Sequence, residues 1–171
     1  MRRNLAIASG VLLAAAVLIT VLRPADTPAV TLIDPSDIAP RTLALVSAPL
    51  PAGHALRFRA AAPGSPRAEL DRDARTITVF VRPDDPPHRI AHDIAHEIGH
   101  AYDLEHLTDA HRRAYLERRG IPGVKWWPEG ALSDYDTGAG DFAEVFARCH
   151  AASPEFRSQA APAPQDACAL L

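Results

Sequence analysis

The stretch from Pro87 to Leu107 constrains this chain more than any other, because it carries two helical patterns at once. Ile90, Ile94 and Ile98 recur every four residues and, joined by Ala101 and Leu104, make one apolar stripe. His92, His96, His100 and Asp103 fall together on the opposite side. A stripe of His and Asp facing away from an apolar stripe predicts a helix packed on a sheet, with its second face turned into a cleft. Pro86-Pro87 supplies the start signal, and the apolar pattern fades after Leu107. Gly99 costs about 1 kcal/mol of helix propensity against Ala. Its presence there predicts that another element approaches closely.

Within that helix, His96-Glu97-Ile98-Gly99-His100 has a spacing with chemical content. Imidazoles at i and i+4 project from one face and can converge on one metal ion. Glu97 sits roughly 100° round the helix, within reach of a water on that ion. Two His hold a metal poorly, so a third protein ligand is needed if one position is to stay open for water. The best candidates lie on a second helical stretch, Gly138 to Phe146, where Asp141 and Glu144 share a face one turn apart. Either acid could instead be a helix-start charge that favours the macrodipole. His106 is a further alternative, since His96, His100 and Asp103 lead on to it at a second regular spacing.

His96-Glu97-Ile98-Gly99-His100-Ala101, with Asp141-Phe142-Ala143-Glu144 downstream, resembles the zincin metallopeptidases, on their gluzincin side. His-Glu-x-Gly-His-Ala-x-Asp followed by Phe-Ala-Glu is similar to the lethal-factor type of catalytic domain. The resemblance covers about residues 69–150 and is specific at these two motifs. It implies a bound zinc ion, a peptide or protein substrate, and Glu97 as general base. Zinc would acidify its water toward a pKa of about 7 and polarise the scissile carbonyl. Glu97 would take the water proton and hand it to the leaving amine. Tyr135 matches the position of that family's catalytic Tyr, and His111 is a second candidate donor to the oxyanion.

The chain departs from the pattern at one position. Gluzincins of this type carry the ligand Glu four residues before the Glu of Phe-Ala-Glu, and here that residue is Gly140. Asp141 is therefore expected as third ligand, with Glu144 orienting a His; Glu144 and His106 are the alternatives. The His106 reading has metzincin spacing, with Asp103 where that family needs Gly, but the only methionine is Met1 and no Met-turn can form. Asp103 then reads as a carboxylate accepting an N–H from a ligand His. His92 is expected to line the cleft, His88 to face solvent, and Trp126-Trp127 to fill core.

The rest of the chain sets boundaries. Its 171 residues, 47 % hydrophobic, leave room for one modest domain. A net charge of -3 with interspersed signs excludes a nucleic-acid partner, which needs a basic stripe. Arg2 and Arg3 precede an apolar run from Leu5 to Leu22, so residues 1–23 read as a signal-anchor or signal peptide. The N-terminus would stay cytoplasmic, with the remainder exported, membrane-anchored or secreted. Residues 24–53 read as a Pro-rich linker with a short strand at Thr42–Ser47, and 159–171 as a low-complexity tail.

Residues 54–158 read as a small zincin-like α+β domain. A strand at Leu56–Arg59 and a hairpin from Glu69-Leu70 to Thr76–Val81 predict a short antiparallel sheet packed on the His-bearing helix. Thr108 caps a helix to about Arg119, and Asp141–Ala152 forms the third-ligand helix. Cys149 and Cys168, the only two cysteines, are expected to pair in an exported chain. Two other functions compete: a catalytically inactive zinc-binding domain acting as a cell-surface binding module, and a metal-free interaction module.

Overall fold

The β-branched run Thr76–Val81 becomes the central strand, β3, of a three-stranded sheet ordered β1-β3-β2. β1 is Ala55–Ala60 and β2 is Ala68–Asp71. The computed structural model describes residues 35–171; the segment 1–23 and the start of the proline-rich stretch lie outside the described residues. No described helix is long and apolar enough to cross a membrane.

β2 and β3 form the expected antiparallel hairpin, with Glu69 opposite Thr78. The turn is held by Ala74 N–H donating to Asp71 Oδ1 at 2.9 Å, and Arg75 takes the left-handed conformation with φ 49°. β1, however, pairs parallel to β3, with Ala55 opposite Thr76. The sheet is therefore mixed rather than antiparallel. Residues 61–67 carry the chain past the end of β3 to its far edge, so β1 and β3 run the same way. Alternation within a strand encodes which face is buried, not which strand lies alongside.

Helix α2 (Pro87–His106) lies between the sheet and helix α4 (Gly138–His150). Its Ile90, Ile94 and Ile98 pack with Ile77, Val79 and Val81 of β3 and with Phe142, Val145 and Phe146 of α4. Each such side chain contributes about 1.5–3 kcal/mol on burial. Ala91 and Ala95 meet Ala147 and Ala151 in a second small cluster. A Cβ on Gly99 would come within 3.0 Å of Ala143 Cα and Phe146 Cβ. Gly99 is thus where α4 crosses closest, as its cost in helix propensity implied.

Helix α3 (Asp109–Arg118) starts at Thr108, whose hydroxyl accepts from His111 N–H. α4 begins three residues ahead of the expected Asp141, because Thr137 Oγ1 accepts from Gly140 N–H and caps the helix there.

Residues 35–53 were expected to be a linker and are instead packed on the domain. Pro35–Leu43 forms helix α1, Ile38 joins the core, and Thr42 is buried with its hydroxyl bonded to the Ile38 carbonyl. The strand expected at Thr42–Ser47 reduces to one bridge, Val46 to Ala151. A nine-residue helix with an internal proline has too few turns to show a period.

The tail is likewise docked. Gln159 N–H donates to the Tyr135 carbonyl at 2.8 Å, Arg119 Nη2 to the Pro162 carbonyl at 3.0 Å, and Cys149 is joined to Cys168.

Candidate metal centre

One turn of α2 separates His96 from His100, and their Nε2 atoms lie 3.1 Å apart. Both lie 3.2 Å from a single oxygen, Oδ2 of Asp134. Asp134 opens a 3-10 turn, Asp134–Asp136, just ahead of α4. Its carbonyl accepts from Thr137 N–H at 2.9 Å and from Thr137 Oγ1–H at 2.7 Å, which fixes the turn against the start of the helix.

Three ligand-type atoms thus form a nearly equilateral triangle. Zinc–nitrogen and zinc–oxygen bonds of about 2.0–2.1 Å in a tetrahedron give ligand–ligand edges of about 3.3 Å, close to those separations. Two imidazoles and a carboxylate are also the donor set zinc accepts when a fourth position is left open. The residues fit the ion.

The other ring nitrogen of His96 settles which lone pair faces that triangle. His96 Nδ1–H donates to Glu144 Oε1 at 2.8 Å, so a neutral His96 presents an unprotonated Nε2 to His100 and Asp134. Glu144 is fully buried and also accepts from His92 Nε2–H at 3.1 Å and from the Arg157 backbone N–H. It makes the contact expected of a residue that orients a ligand His.

The charges follow the same logic. Burial opposes a charged His96, yet hydrogen bonds with Asp134 and Glu144 outweigh it and hold the imidazole well above its usual range. Burial would raise Asp134 and Glu144, but bonds from His100 and His96 hold the first well below the carboxylate range, and bonds from His92 and His96 do so for the second. The triangle attracts positive charge, whether a proton or a cation. Burial pushes Glu97 up, against the opposing pull of His96 and His100.

Asp141 is not part of this arrangement. It is fully buried elsewhere, accepting from Tyr115 Oη–H at 2.7 Å, Arg119 Nε–H at 2.7 Å, Arg119 Nη2–H at 2.8 Å and Ser158 Oγ–H at 2.6 Å. All its lone pairs are spent on holding α3 and the tail to α4. Sharing a helical face with Glu144 did not bring it to the histidines.

Other expected roles also move. His106 is exposed with its ring tilted against that of Tyr102, and His111 caps α3. Asp103 accepts from Arg112 Nε–H and Trp126 Nε1–H, both at 2.8 Å, and meets no ligand His. His92 is buried on Glu144 and does not line the cleft. Trp126 does pack in the core, but Trp127 lines a cavity of about 120 Å³ with Leu70, Pro128, Glu97, His100 and Asp134.

A larger cavity of about 540 Å³ borders the same triangle. His96, Glu97, His100, Asp134 and Tyr135 line it together with Arg67 and Arg157. The Tyr135 ring centre is 5.6 Å from that of His96.

Asp134 was missed because nothing local marks it. It stands in a loop among Asp136 and other polar residues, and only the fold brings it to α2. The indirect signal was Gly140, whose missing side chain makes room for it. Comparison with known proteins adds no relative: no family model, curated protein or solved structure matches the chain.

Proposed function

We propose that this chain is an exported zinc-dependent metallopeptidase with a zincin-like fold, membrane-anchored or secreted. The observation that carries the reading is the His96–His100–Asp134 triangle, with edges of 3.1–3.2 Å beside a cavity that Glu97 also lines. His96, His100 and Asp134 would hold the ion, and Glu144 would keep the His96 ring in its ligating tautomer.

A bound zinc supplies a polarised carbonyl and a water acidified toward neutrality. Glu97, buried and with its pKa raised, accepts the proton as water adds to the peptide carbonyl carbon. It returns that proton to the nitrogen as the C–N bond breaks, and so ends ionised as it began. Tyr135, beside His96 on the cavity wall, would donate to the developing oxyanion.

The test is zinc content together with hydrolysis of a mixed peptide library by residues 30–171. About one zinc per chain and measurable cleavage are expected. Glu97→Gln should keep the zinc and the fold while losing about 10²–10⁴-fold in turnover. Full zinc content without cleavage would leave a zinc-binding surface module as the function. A chain that takes up no zinc would sink both readings.

A further inference from the structure

The large cavity is lined by charges of both signs: Glu97, Asp134 and Asp93 beside the two histidines, together with Arg67 and Arg157. Both arginines bond the same buried carboxylate, Asp93, which lies one turn ahead of Glu97 on α2. Arg67 Nε–H donates to it at 2.9 Å and Arg157 Nη1–H at 2.6 Å. Arg67 comes from the loop entering β2, and Arg157 from the segment beyond α4.

Arg157 also meets Tyr135 on the cavity wall, and each of its three nitrogens bonds Asp93 or Glu155. Arg67 Nη2–H donates to Asp85 at 3.0 Å and Arg157 Nε–H to Glu155 at 3.0 Å, and neither acid lines the cavity. The side chains of Asp85 and Asp93 are 4 % and 2 % exposed, whereas those of Arg67 and Arg157 are 27 % and 20 % exposed. The guanidinium groups are the more exposed partners, and Asp93 borders the cavity between them. Nη1 of Arg67 makes no hydrogen bond among the described residues.

We propose that Arg67 and Arg157 form a subsite for a substrate carboxylate, either an Asp or Glu side chain or the C-terminal carboxylate of a peptide. The proposal deepens the metallopeptidase reading and rests on it. Guanidinium groups present parallel N–H donors that match a carboxylate, and in a partly water-excluded cavity that contact discriminates strongly against the neutral amide. Glu97 and Asp134 repel the same group, which favours its placement against the guanidinium groups. A cavity on the order of 10 Å across places that carboxylate within about three residues of the scissile bond.

The test uses zinc-loaded Glu97→Gln protein and fluorescently labelled peptides in matched pairs at low salt. One pair differs as Glu against Gln at an internal position with both ends blocked. The other differs as free acid against amide at the C-terminus. At least one carboxylate peptide should bind about tenfold or more tightly than its amide, and which pair responds identifies the source. Adding Arg67→Gln should shrink the preference to within about twofold, and Arg67→Lys should restore only part of it, because an ammonium lacks the fork.

If Arg67→Gln fails to fold, Arg157→Gln and the matched pairs on the Glu97→Gln protein carry the same comparison. Equal binding of acid and amide, or a preference that survives loss of the arginine, overturns the subsite. Cleavage of neutral and acidic peptides at equal rates by the parent protein would overturn it while leaving the peptidase standing. A carboxylate preference in binding, with no peptide cleaved, would keep the subsite and remove the peptidase.

Discussion

A Cβ on Gly140 would lie 2.8 Å from Asp134 Oδ2 and 2.1 Å from the Asp134 carbonyl oxygen, so the two residues claim the same space. Gly140 is the position at which the gluzincin resemblance would put a metal-binding Glu, one turn ahead of Glu144. A carboxylate delivered by the preceding loop stands there instead. The absence of a side chain at 140 and the presence of an acid at 134 are one feature.

Gly140→Ala therefore has a sharp expected outcome. Its methyl group would strike main chain, which cannot swing aside as a side-chain tip can. The Asp134 loop must shift, at a cost of about 1–3 kcal/mol. Zinc affinity, measured by competition with a chelating dye, should fall more than about 100-fold, beyond the effect of losing an outer partner. Unchanged affinity would mean that Asp134 does not hold the ion.

Asp134→Ala and Asp141→Ala should fail in opposite ways. The first removes a carboxylate from a half-exposed loop, so zinc should be lost while the metal-free fold melts only modestly below the parent, by the share of His96 stabilisation that Asp134 supplies. The second strands Arg119 and Tyr115 beside α4, breaking a buried pair at a cost of about 3–5 kcal/mol. Whatever fraction folds should still take up zinc. Zinc lost only in the Asp141 variant would restore the original assignment.

Acid should weaken zinc binding and alkali should weaken the metal-free fold. Zinc needs unprotonated imidazoles, and the His96 pKa is raised well above 6.5, so binding below it displaces a proton. Calorimetry at pH 6 in buffers of different ionisation enthalpy should record that release. Without metal, the raised His96 contributes stability fully below pH 6.5 and loses it as pH rises through its folded pKa. The depressed Glu144 contributes above its unfolded value of 4.5 and loses it as pH falls. The metal-free melting temperature should peak between those two limits, and a monotonic rise to pH 9 would contradict the cluster.

Replacing Cys149 and Cys168 with Ser should cost about 3 kcal/mol on the chain-entropy model, for a sequence separation of 19. That corresponds to about 10 °C in melting temperature. The freed segment carries Arg157 and Gln159, which bond Glu144 and the Tyr135 carbonyl, so zinc affinity should fall as well. A melting point within 2 °C of the parent, on the scale of about 3 °C per kcal/mol, would show that the tail stays docked without its bond.

The sequence by itself determined the elements whose signals are local. The isoleucine stripe and the His spacing define α2, Thr108 starts α3, and Thr76–Val81 reads as a strand from its β-branched residues. The pairing of two histidines with Glu97 needs only one helix, because 3.6 residues per turn already places them. Tertiary structure alone decided the direction of β1, the docking of residues 35–53, and the placement of Asp134 rather than Asp141 beside the two histidines. Each of these depends on which distant segments become neighbours. Asp141 and Asp134 look alike as acids near the start of α4, and local pattern favours the one on the helix. Packing separates them: Arg119 and Tyr115 on α3 capture Asp141, while Gly140 opens the space through which Asp134 reaches the histidines.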